Sequence, residues 1–241
     1  MLNFLFGFIL FIGTIVLIIS LFSINKNKST QNLNFIPNSN AEPYCLIFDI
    51  ETTGLILDKN IKPSVKSMKE NPENFPRIVS ISWGVFSRNE NLICEGDFLI
   101  KQETEIPDHA VKIHGITTEK ANTEGIDILD ALHKFELDCQ KVTTIVGHNI
   151  MFDKHVVESE FLRAKLKKPF TNKTTYCTMK MGKEFLKIYK NPTLSELCIG
   201  IYGNGIKDQL QLHNSQMDTF FTSKCFFHLK KQKNQNWSRH V

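Results

Sequence analysis

This 241-residue chain has no two cysteines close together in the sequence. The six cysteines stand alone, with no C-x-x-C pair and no regular disulfide framework, at positions 45, 94, 139, 177, 198 and 225. This spacing argues against a zinc site and is typical of a reducing compartment. Cys45 and Cys225 fall inside apolar runs, where reduced cysteine serves as a small core residue.

A strong charge of either sign is also missing, since the net charge is only +4. Such a balance does not by itself indicate a nucleic-acid partner. The basic residues are unevenly spread, however, and crowd one segment at Arg163, Lys165, Lys167, Lys168, Lys173, Lys180, Lys183, Lys187 and Lys190. The cluster fits either a phosphate-binding surface or a solvated helical face, and the sequence leaves both readings open.

No charged residue interrupts the apolar stretch from Leu2 to Phe22. As a helix it would span the roughly 30 Å hydrocarbon core of a bilayer. A cleaved signal peptide is the alternative, but it would need a basic flank before the run, which is absent, and a nearby small-residue cleavage site, whereas the match Ser39-Asn40-Ala41 lies far downstream. We therefore expect a transmembrane anchor over residues 1–24 and a flexible linker over residues 25–42.

Lysines lie only on the carboxyl side of this run, at Lys26 and Lys28. The positive-inside tendency then predicts a single-pass protein of the inner or cytoplasmic membrane, with the rest of the chain in the cytoplasm. The other end of the chain, residues 231–241, is expected to be a basic tail.

Two acids, Asp49 and Glu51, come directly after the apolar run Tyr44-Cys45-Leu46-Ile47-Phe48. Side chains alternate along a strand, so the two carboxylates point to the same face. Thr52-Thr53-Gly54 then ends the strand abruptly. Because two unpaired buried carboxylates would be costly, the pattern predicts a divalent cation, and the alternative is a solvated strand end.

Matching acids occur at two later elements. Gly147-His148-Asn149-Ile150-Met151-Phe152-Asp153 follows the strand-like residues 142–147 and opens a helix, which places Asp153 in its first turn. His213-Asn214-Ser215-Gln216-Met217-Asp218 opens a last apolar helix, Phe220 to Leu229.

These three motifs, in this order, resemble those of the DEDDh-type 3′–5′ exonucleases, the relatives of the proofreading epsilon subunit of DNA polymerase III, ribonuclease T and oligoribonuclease. Supporting matches are Phe75-Pro76-Arg77-Ile78-Val79, Ile113-His114-Gly115-Ile116-Thr117, Cys177-Thr178-Met179-Lys180 and Leu194-Ser195-Glu196-Leu197. The resemblance covers residues 43–230. Asn214-Ser215 departs from it, because many relatives carry an acid and an alanine there.

The resemblance implies a ribonuclease H-like fold, whereas periodicity alone gives only an α/β class. We expect a mixed five-stranded sheet flanked by helices. The sequence locates its elements as strands over 44–50, 78–87, 92–100 and 142–147 and helices over 127–139 and 152–165, followed mostly by helix to 230. The first three strands should form an antiparallel meander, and the fourth should pair in parallel with the first.

Two Mg²⁺ or Mn²⁺ ions, about 3.5–4 Å apart, are the cofactors expected between the carboxylates of Asp49, Glu51, Asp153 and Asp218. Oxygen ligands without a thiolate favour these metals over zinc. His213 is expected to be the general base that activates the attacking water.

Substrate contacts are expected from a second group of residues: Thr52, Thr53, Leu55, His114, Asn149 and Phe152. The resemblance makes Leu55 a wedge against the terminal base. His114 either belongs to a loop at the mouth of the site or has a structural role. Asn149 either orients the turn or contacts substrate. Phe152 either stacks on a base or packs in the core.

The predicted function is a membrane-tethered, metal-dependent 3′–5′ exonuclease that releases nucleoside 5′-monophosphates from nucleic-acid 3′ ends. Single-stranded DNA is favoured, an RNA-trimming exoribonuclease is the alternative, and a DNA polymerase or repair protein is a candidate partner. A non-catalytic adapter that binds nucleic acid or a polymerase is less favoured, because every catalytic position holds a competent residue.

Overall fold

The computed structural model describes residues 41–209 and 213–238. The predicted anchor, residues 1–24, and residues 25–40 of the predicted linker lie outside the described residues. Within the described ranges, no helix combines the length and the apolar character needed to cross a membrane.

One sheet organises the domain. Its strands are β1 (Pro43–Thr52), β2 (Ile78–Ser87), β3 (Leu92–Leu99), β4 (Thr144–Gly147) and β5 (Thr174–Cys177). The helices are α1 (Val65–Glu70), α2 (Asp108–His114), α3 (Thr118–Glu124), α4 (Ile128–Gln140), α5 (Ile150–Arg163), α6 (Thr178–Leu186), α7 (Leu194–Tyr202) and α8 (Ser215–Ser238), with 3-10 turns at Pro72–Asn74 and Asn204–Gln209.

The sheet is mixed and five-stranded, in the order β3-β2-β1-β4-β5. β1 pairs antiparallel with β2, and β2 antiparallel with β3. β4 pairs in parallel with β1 and with β5. The predicted meander, the parallel pairing of the fourth strand and the five-stranded mixed sheet are thus confirmed.

β1 is buried on both sides because it lies in the middle of the sheet. Leu46, Phe48 and Ile50 join the larger core beneath α4 and α5. Phe48 lies 5.4 Å from Phe135 of α4 between ring centroids. Burial of a side chain of this size contributes about 1.5–3 kcal/mol.

The opposite face of β1 is covered by α8. Cys45 and Ile47 pack there with Phe226 of α8, in a second buried cluster. Since side chains alternate along a strand, Asp49 and Glu51 share this face with Cys45 and Ile47. The acids are therefore presented to α8, the helix that carries Asp218.

The structure differs from the predicted elements in several places. The short helices α1, α2 and α3 were not predicted from the sequence. β5 was not located by the sequence, because its four residues, Thr-Thr-Tyr-Cys, are too short and polar to show a buried-strand pattern. The last helix begins earlier and continues further than the apolar segment, from Ser215 to Ser238. Its first turn and the residues after Leu229 are mostly polar, and hydrophobic patterning does not detect such turns.

Candidate active site

The acid pair lies at the carboxyl end of β1, opposite small residues of β2. Asp49 pairs in register with Ser82, and Glu51 with Ser80. The first turn of α8 lies over this part of the sheet, and the hydroxyl of Thr219 donates to the carbonyl of Ser82 at 3.2 Å. Small side chains on β2 let the helix approach the sheet closely enough to bring Asp218 beside the acid pair.

The three carboxylates of Asp49, Glu51 and Asp218 converge on one point. One oxygen from each lies within 4.8 Å of one from both others. Asp153, in the first turn of α5, is 5 % exposed and lies within electrostatic reach of the other acids. The structure therefore brings three of the four predicted metal ligands to one point, with the fourth, Asp153, buried nearby.

Burial and mutual repulsion both disfavour the charged forms of these acids. Burial, and then the charges of Asp153, Asp218 and Glu51, hold the pKa of Asp49 well above its usual range. Burial, and then Asp218, raise the pKa of Glu51 to about 7. Burial likewise raises the pKa of Asp153 well above its ordinary value, and the neighbouring acids add to this.

Asp218 is perturbed in the same direction as the other acids. Burial raises its pKa to about 6, while the backbone amide and the charge of His213 act in the opposite direction. One of its oxygens, Oδ1, is buried without a hydrogen-bond partner. Among the described residues no lysine or arginine forms an ion pair with the cluster.

These features fit a divalent cation. Carboxylate oxygens are the ligands that Mg²⁺ and Mn²⁺ prefer, and a cation would offset the repulsion and engage the orphaned oxygen of Asp218. The residues that would hold it are Asp49, Glu51, Asp153 and Asp218. The six cysteines, none of which is in a disulfide, leave no thiolate in the cluster.

His213 lies at the edge of the cluster, exposed to solvent. Its backbone amide donates to Oδ2 of Asp218 at 3.2 Å. Its φ of 67° is in the left-handed region, which is uncommon for a residue other than glycine. The histidine is thereby tied to a predicted metal ligand through its main chain, and its imidazole remains available to solvent.

A buried hydrogen bond that the sequence did not reveal fastens α8 to the sheet. Ser215 Oγ and Ser80 Oγ are 2.7 Å apart. Both serines are almost fully buried, at 2 % and 4 % exposure. The departure from the family pattern at position 215 thus provides a contact to the strand opposite Glu51, a pairing that no local sequence signal could indicate.

The residues after the acid pair divide into structural and exposed groups. The Thr52 hydroxyl donates to the Gly54 carbonyl at 2.7 Å. The Thr53 hydroxyl accepts from the backbone amide of Arg77 at 3.0 Å, so both threonines shape the turn. Leu55, by contrast, is 75 % exposed, and its role as a wedge stays a prediction.

Within the middle motif, residues 147–153, His148 makes the side-chain hydrogen bonds to other parts of the domain. His148 contacts the Thr178 hydroxyl through Nδ1 at 3.0 Å and the Pro192 carbonyl through Nε2 at 3.1 Å. Burial lowers its pKa to about 4, so it stays neutral. Asn149 is exposed in a left-handed conformation, and Phe152 packs partly against the larger core, as the core-packing alternative predicted.

His114 and His213 line a cavity of about 350 Å³ next to the acid cluster. Nδ1 of His114 accepts from the backbone amide of Ile116 at 3.1 Å, while its Nε2 is buried without a hydrogen-bond partner. Burial lowers the pKa of His114 and His213 adds to this, whereas the Thr52 backbone opposes it. His114 therefore lies beside the acid cluster, in the same cavity as His213.

Four members of the basic cluster bond to other residues of the domain. Arg163 bonds to Glu160, Lys168 to Glu158, and Lys190 to Glu196. Lys173 donates to the Val142 carbonyl. These side chains are part of the fold, which leaves only some of the cluster for a ligand.

A ribonuclease H-like nuclease domain is the class of protein that this sheet order, its flanking helices and the acid cluster define. A model of the exonuclease family, RNase_T, matches residues 46–226. The chain belongs to this family, which confirms the resemblance to the DEDDh-type 3′–5′ exonucleases. Enzymes of this type are metal-dependent. No curated protein sequence matches the chain significantly.

Solved structures of exonuclease I share the fold. A complex of the Escherichia coli enzyme with a dT13 oligonucleotide gives a TM-score of 0.61 at 18 % identity, covering 81 % of this chain and 42 % of that chain. Its zinc-bound complex with single-stranded DNA gives 0.60 at 17 % identity, covering 81 % and 42 %. Exonuclease I from Methylocaldum szegediense gives 0.59 at 15 % identity, covering 79 % and 41 %. The match thus spans less than half of each of these longer chains.

Proposed function

We propose that this exonuclease domain hydrolyses single-stranded DNA from its 3′ end and releases nucleoside 5′-monophosphates. The observation that carries the proposal is the convergence of Asp49, Glu51 and Asp218 within 4.8 Å, beside the buried Asp153. The preference for DNA draws on similar structures, which hold single-stranded DNA.

The acids are proposed to hold two Mg²⁺ or Mn²⁺ ions. When bound, such ions lower the pKa of a water molecule and neutralise charge on the phosphodiester and its leaving oxygen. Asp49 and Glu51 provide a rigid support, because β1 is hydrogen-bonded to a strand on each side. Asp218 and Asp153 close the cluster from α8 and α5.

His213 is proposed to take the proton from the attacking water. Its exposed imidazole lies next to the cluster, and its main chain is anchored on Asp218. Leu55 is proposed to separate the terminal base from the next one, since a large exposed side chain at the edge of the site can insert between bases. His114 is proposed to contact substrate, because it lines the cavity next to the cluster together with His213.

A panel of labelled substrates tests this function. The full chain in Mg²⁺ should shorten 5′-labelled single-stranded DNA progressively, whereas the same strand with a blocked 3′ end should resist. Duplex DNA with blunt ends should react more slowly. Faster turnover of RNA than of DNA would assign the exoribonuclease alternative, and binding without turnover in Mg²⁺ or Mn²⁺ would assign the adapter.

We also propose that residues 1–24 anchor the domain to the inner or cytoplasmic membrane, with the domain in the cytoplasm. The support is the uncharged run from Leu2 to Phe22 and the lysines that follow it. A DNA polymerase or repair protein as partner stays a prediction from the resemblance.

A further inference from the structure

A second concave surface lies on the α8 side of the sheet, along the edge strand β5. It is a groove of about 750 Å³ between β5, α6 and the later turns of α8. Its lining includes Met151, Tyr176, Lys180, Phe185, Lys230 and Lys233. We call this surface the β5 groove.

The groove combines positive charge with aromatic surface. Lys180 and Lys233 are exposed, and Lys230 lies 5.8 Å from the ring centroid of Tyr176. Within the part of the chain that the structure describes, none of the three forms an ion pair. One carboxylate, Glu184, also lines the groove, so its charge remains positive.

These lysines come from two distant parts of the sequence. Lys180 belongs to the basic cluster recognised in the sequence, while Lys230 and Lys233 lie in the last helix. The fold brings them together around Tyr176 and Phe185. Other members of the basic cluster form ion pairs within the domain. In this groove, lysines lie instead beside partly exposed aromatic rings.

The groove begins near the acid cluster and leads away from it. Its near end is formed by Ile150 and Met151, in the same helical turn as Asp153. Its far end is formed by Lys233, about 22 Å along α8 from Asp218 at 1.5 Å per residue. The far end is therefore beyond the reach of a short ligand held at the cluster.

We propose that the β5 groove binds the part of a single-stranded nucleic acid that lies several nucleotides before the 3′ end. The inference rests on the proposed function, to which it adds a path for the strand. Lysines can bind successive phosphates, and aromatic rings offer stacking surfaces without sequence preference. A polyanion that presents flat apolar bases matches both properties of the groove.

Binding of fluorescein-labelled oligothymidylates to the full chain tests this path. Lengths of about 4 and about 16 nucleotides bracket the footprint of common single-strand sites. The variant is Lys180→Gln/Lys233→Gln, because both side chains are exposed and their replacement leaves the core intact. The control is Lys66→Gln/Lys69→Gln, which removes the same charge from the exposed surface of α1.

Anisotropy in EDTA at a series of salt concentrations gives the first result. For the long oligonucleotide, the slope of log Kd against log salt should fall by about 0.7 for each phosphate that the variant no longer neutralises. In Mg²⁺, KM for the long substrate should rise with kcat unchanged, and KM for the short one should rise less, because only Lys180 lies at the near end of the groove. The control variant should match the wild type throughout.

Two results would overturn the proposal. One is that the variant binds the long oligonucleotide with wild-type affinity and digests it with wild-type KM. The other is that the variant binds both lengths equally more weakly, or that the control variant weakens binding as much. If the wild type binds no oligonucleotide, the groove assignment also fails. If it binds the long oligonucleotide through the lysines but digests none, the proposed function fails while the groove assignment stands.

Discussion

Glu51 and Asp218 show how the fold alters single residues. Their pKa values are raised from 4.5 to about 7 and from 3.8 to about 6, with burial as the first cause of each. An acid whose pKa is raised on folding binds more protons in the folded state. Stability then decreases as pH rises through the interval between the unfolded and folded values.

Without divalent cations, the domain should therefore lose stability between about pH 4 and about pH 7. Thermal unfolding should show that Mg²⁺ stabilises the protein at about pH 8 and does so much less at about pH 5, where the acids hold protons. Glu51→Gln should flatten the pH dependence. Equal stabilisation by Mg²⁺ at both pH values would contradict this account of the cluster.

Sequence spacing could predict the residues whose position follows from strand or helix geometry. Asp49 and Glu51 share a face because they are two residues apart, and Asp153 lies in a helical first turn. The position of Ser80 against Ser215 could not be predicted, since it depends on how α8 lies across the sheet. The same holds for His148, whose two ring contacts come from Thr178 and Pro192.

At the scale of elements, α8 connects the core with the active site. Its middle packs on β1 through Phe226 and Phe227, and its first turn carries Asp218. The Ser80–Ser215 and Thr219–Ser82 hydrogen bonds hold the turns on either side of Asp218 against β2. These contacts oppose the repulsion that would otherwise move Asp218 away from Asp49 and Glu51.

Ser215→Ala should therefore weaken both the fold and the site. Removal of a buried hydrogen bond costs about 1 kcal/mol, and more where a partner such as Ser80 remains unsatisfied. Mg²⁺ affinity should fall as well, and Ser80→Ala/Ser215→Ala should regain part of the missing stability. Calorimetry and thermal melts measure both quantities.

Ser223→Ala is the matched control, because its hydroxyl bonds within α8, to the Phe220 carbonyl at 2.7 Å. It should lower stability without changing Mg²⁺ affinity. If both single variants reduced Mg²⁺ affinity equally, the hydrogen bond to β2 would have no special role.

The elements themselves were predictable to different degrees. β2 lies at the predicted bounds, 78–87, because it is buried along nearly its whole length and carries apolar residues throughout, interrupted only by small ones. β5 could be inferred only as a member of the family's sheet, since its four residues pair along one side at the sheet edge. Whether such a short segment forms a strand depends on its packing against neighbouring elements and not on its local sequence pattern.

At the scale of the whole molecule, the described nuclease domain is joined to a predicted membrane anchor. The full chain should sediment with membranes and resist alkaline carbonate extraction, because an uncharged apolar helix of this length is stable in a bilayer. Protease outside intact cells should leave the domain uncut. A mature chain that begins near Glu42 would show instead that the apolar segment is cleaved.

The central claim is that the acid cluster holds the catalytic cations while His213 serves as the base. Three single substitutions separate these roles: Asp49→Asn, His213→Ala and Asp97→Asn. Asp97, on β3, is the control. It pairs with Ser82 of β2 and lines the cavity that holds His114 and His213, but it is not part of the acid cluster. It is about 10 Å from Asp49 at two strand spacings.

The most direct measurement combines Mg²⁺ titration with single-turnover digestion of 5′-labelled single-stranded DNA by these variants. Asp49→Asn should lose both Mg²⁺ binding and turnover, and should be at least as stable as the wild type without metal, since repulsion is relieved. His213→Ala should keep Mg²⁺ binding and lose on the order of 10²–10⁴-fold in rate. Asp97→Asn should retain both. Wild-type turnover by Asp49→Asn would contradict the metal site, and loss of Mg²⁺ binding together with rate in His213→Ala would contradict the general base.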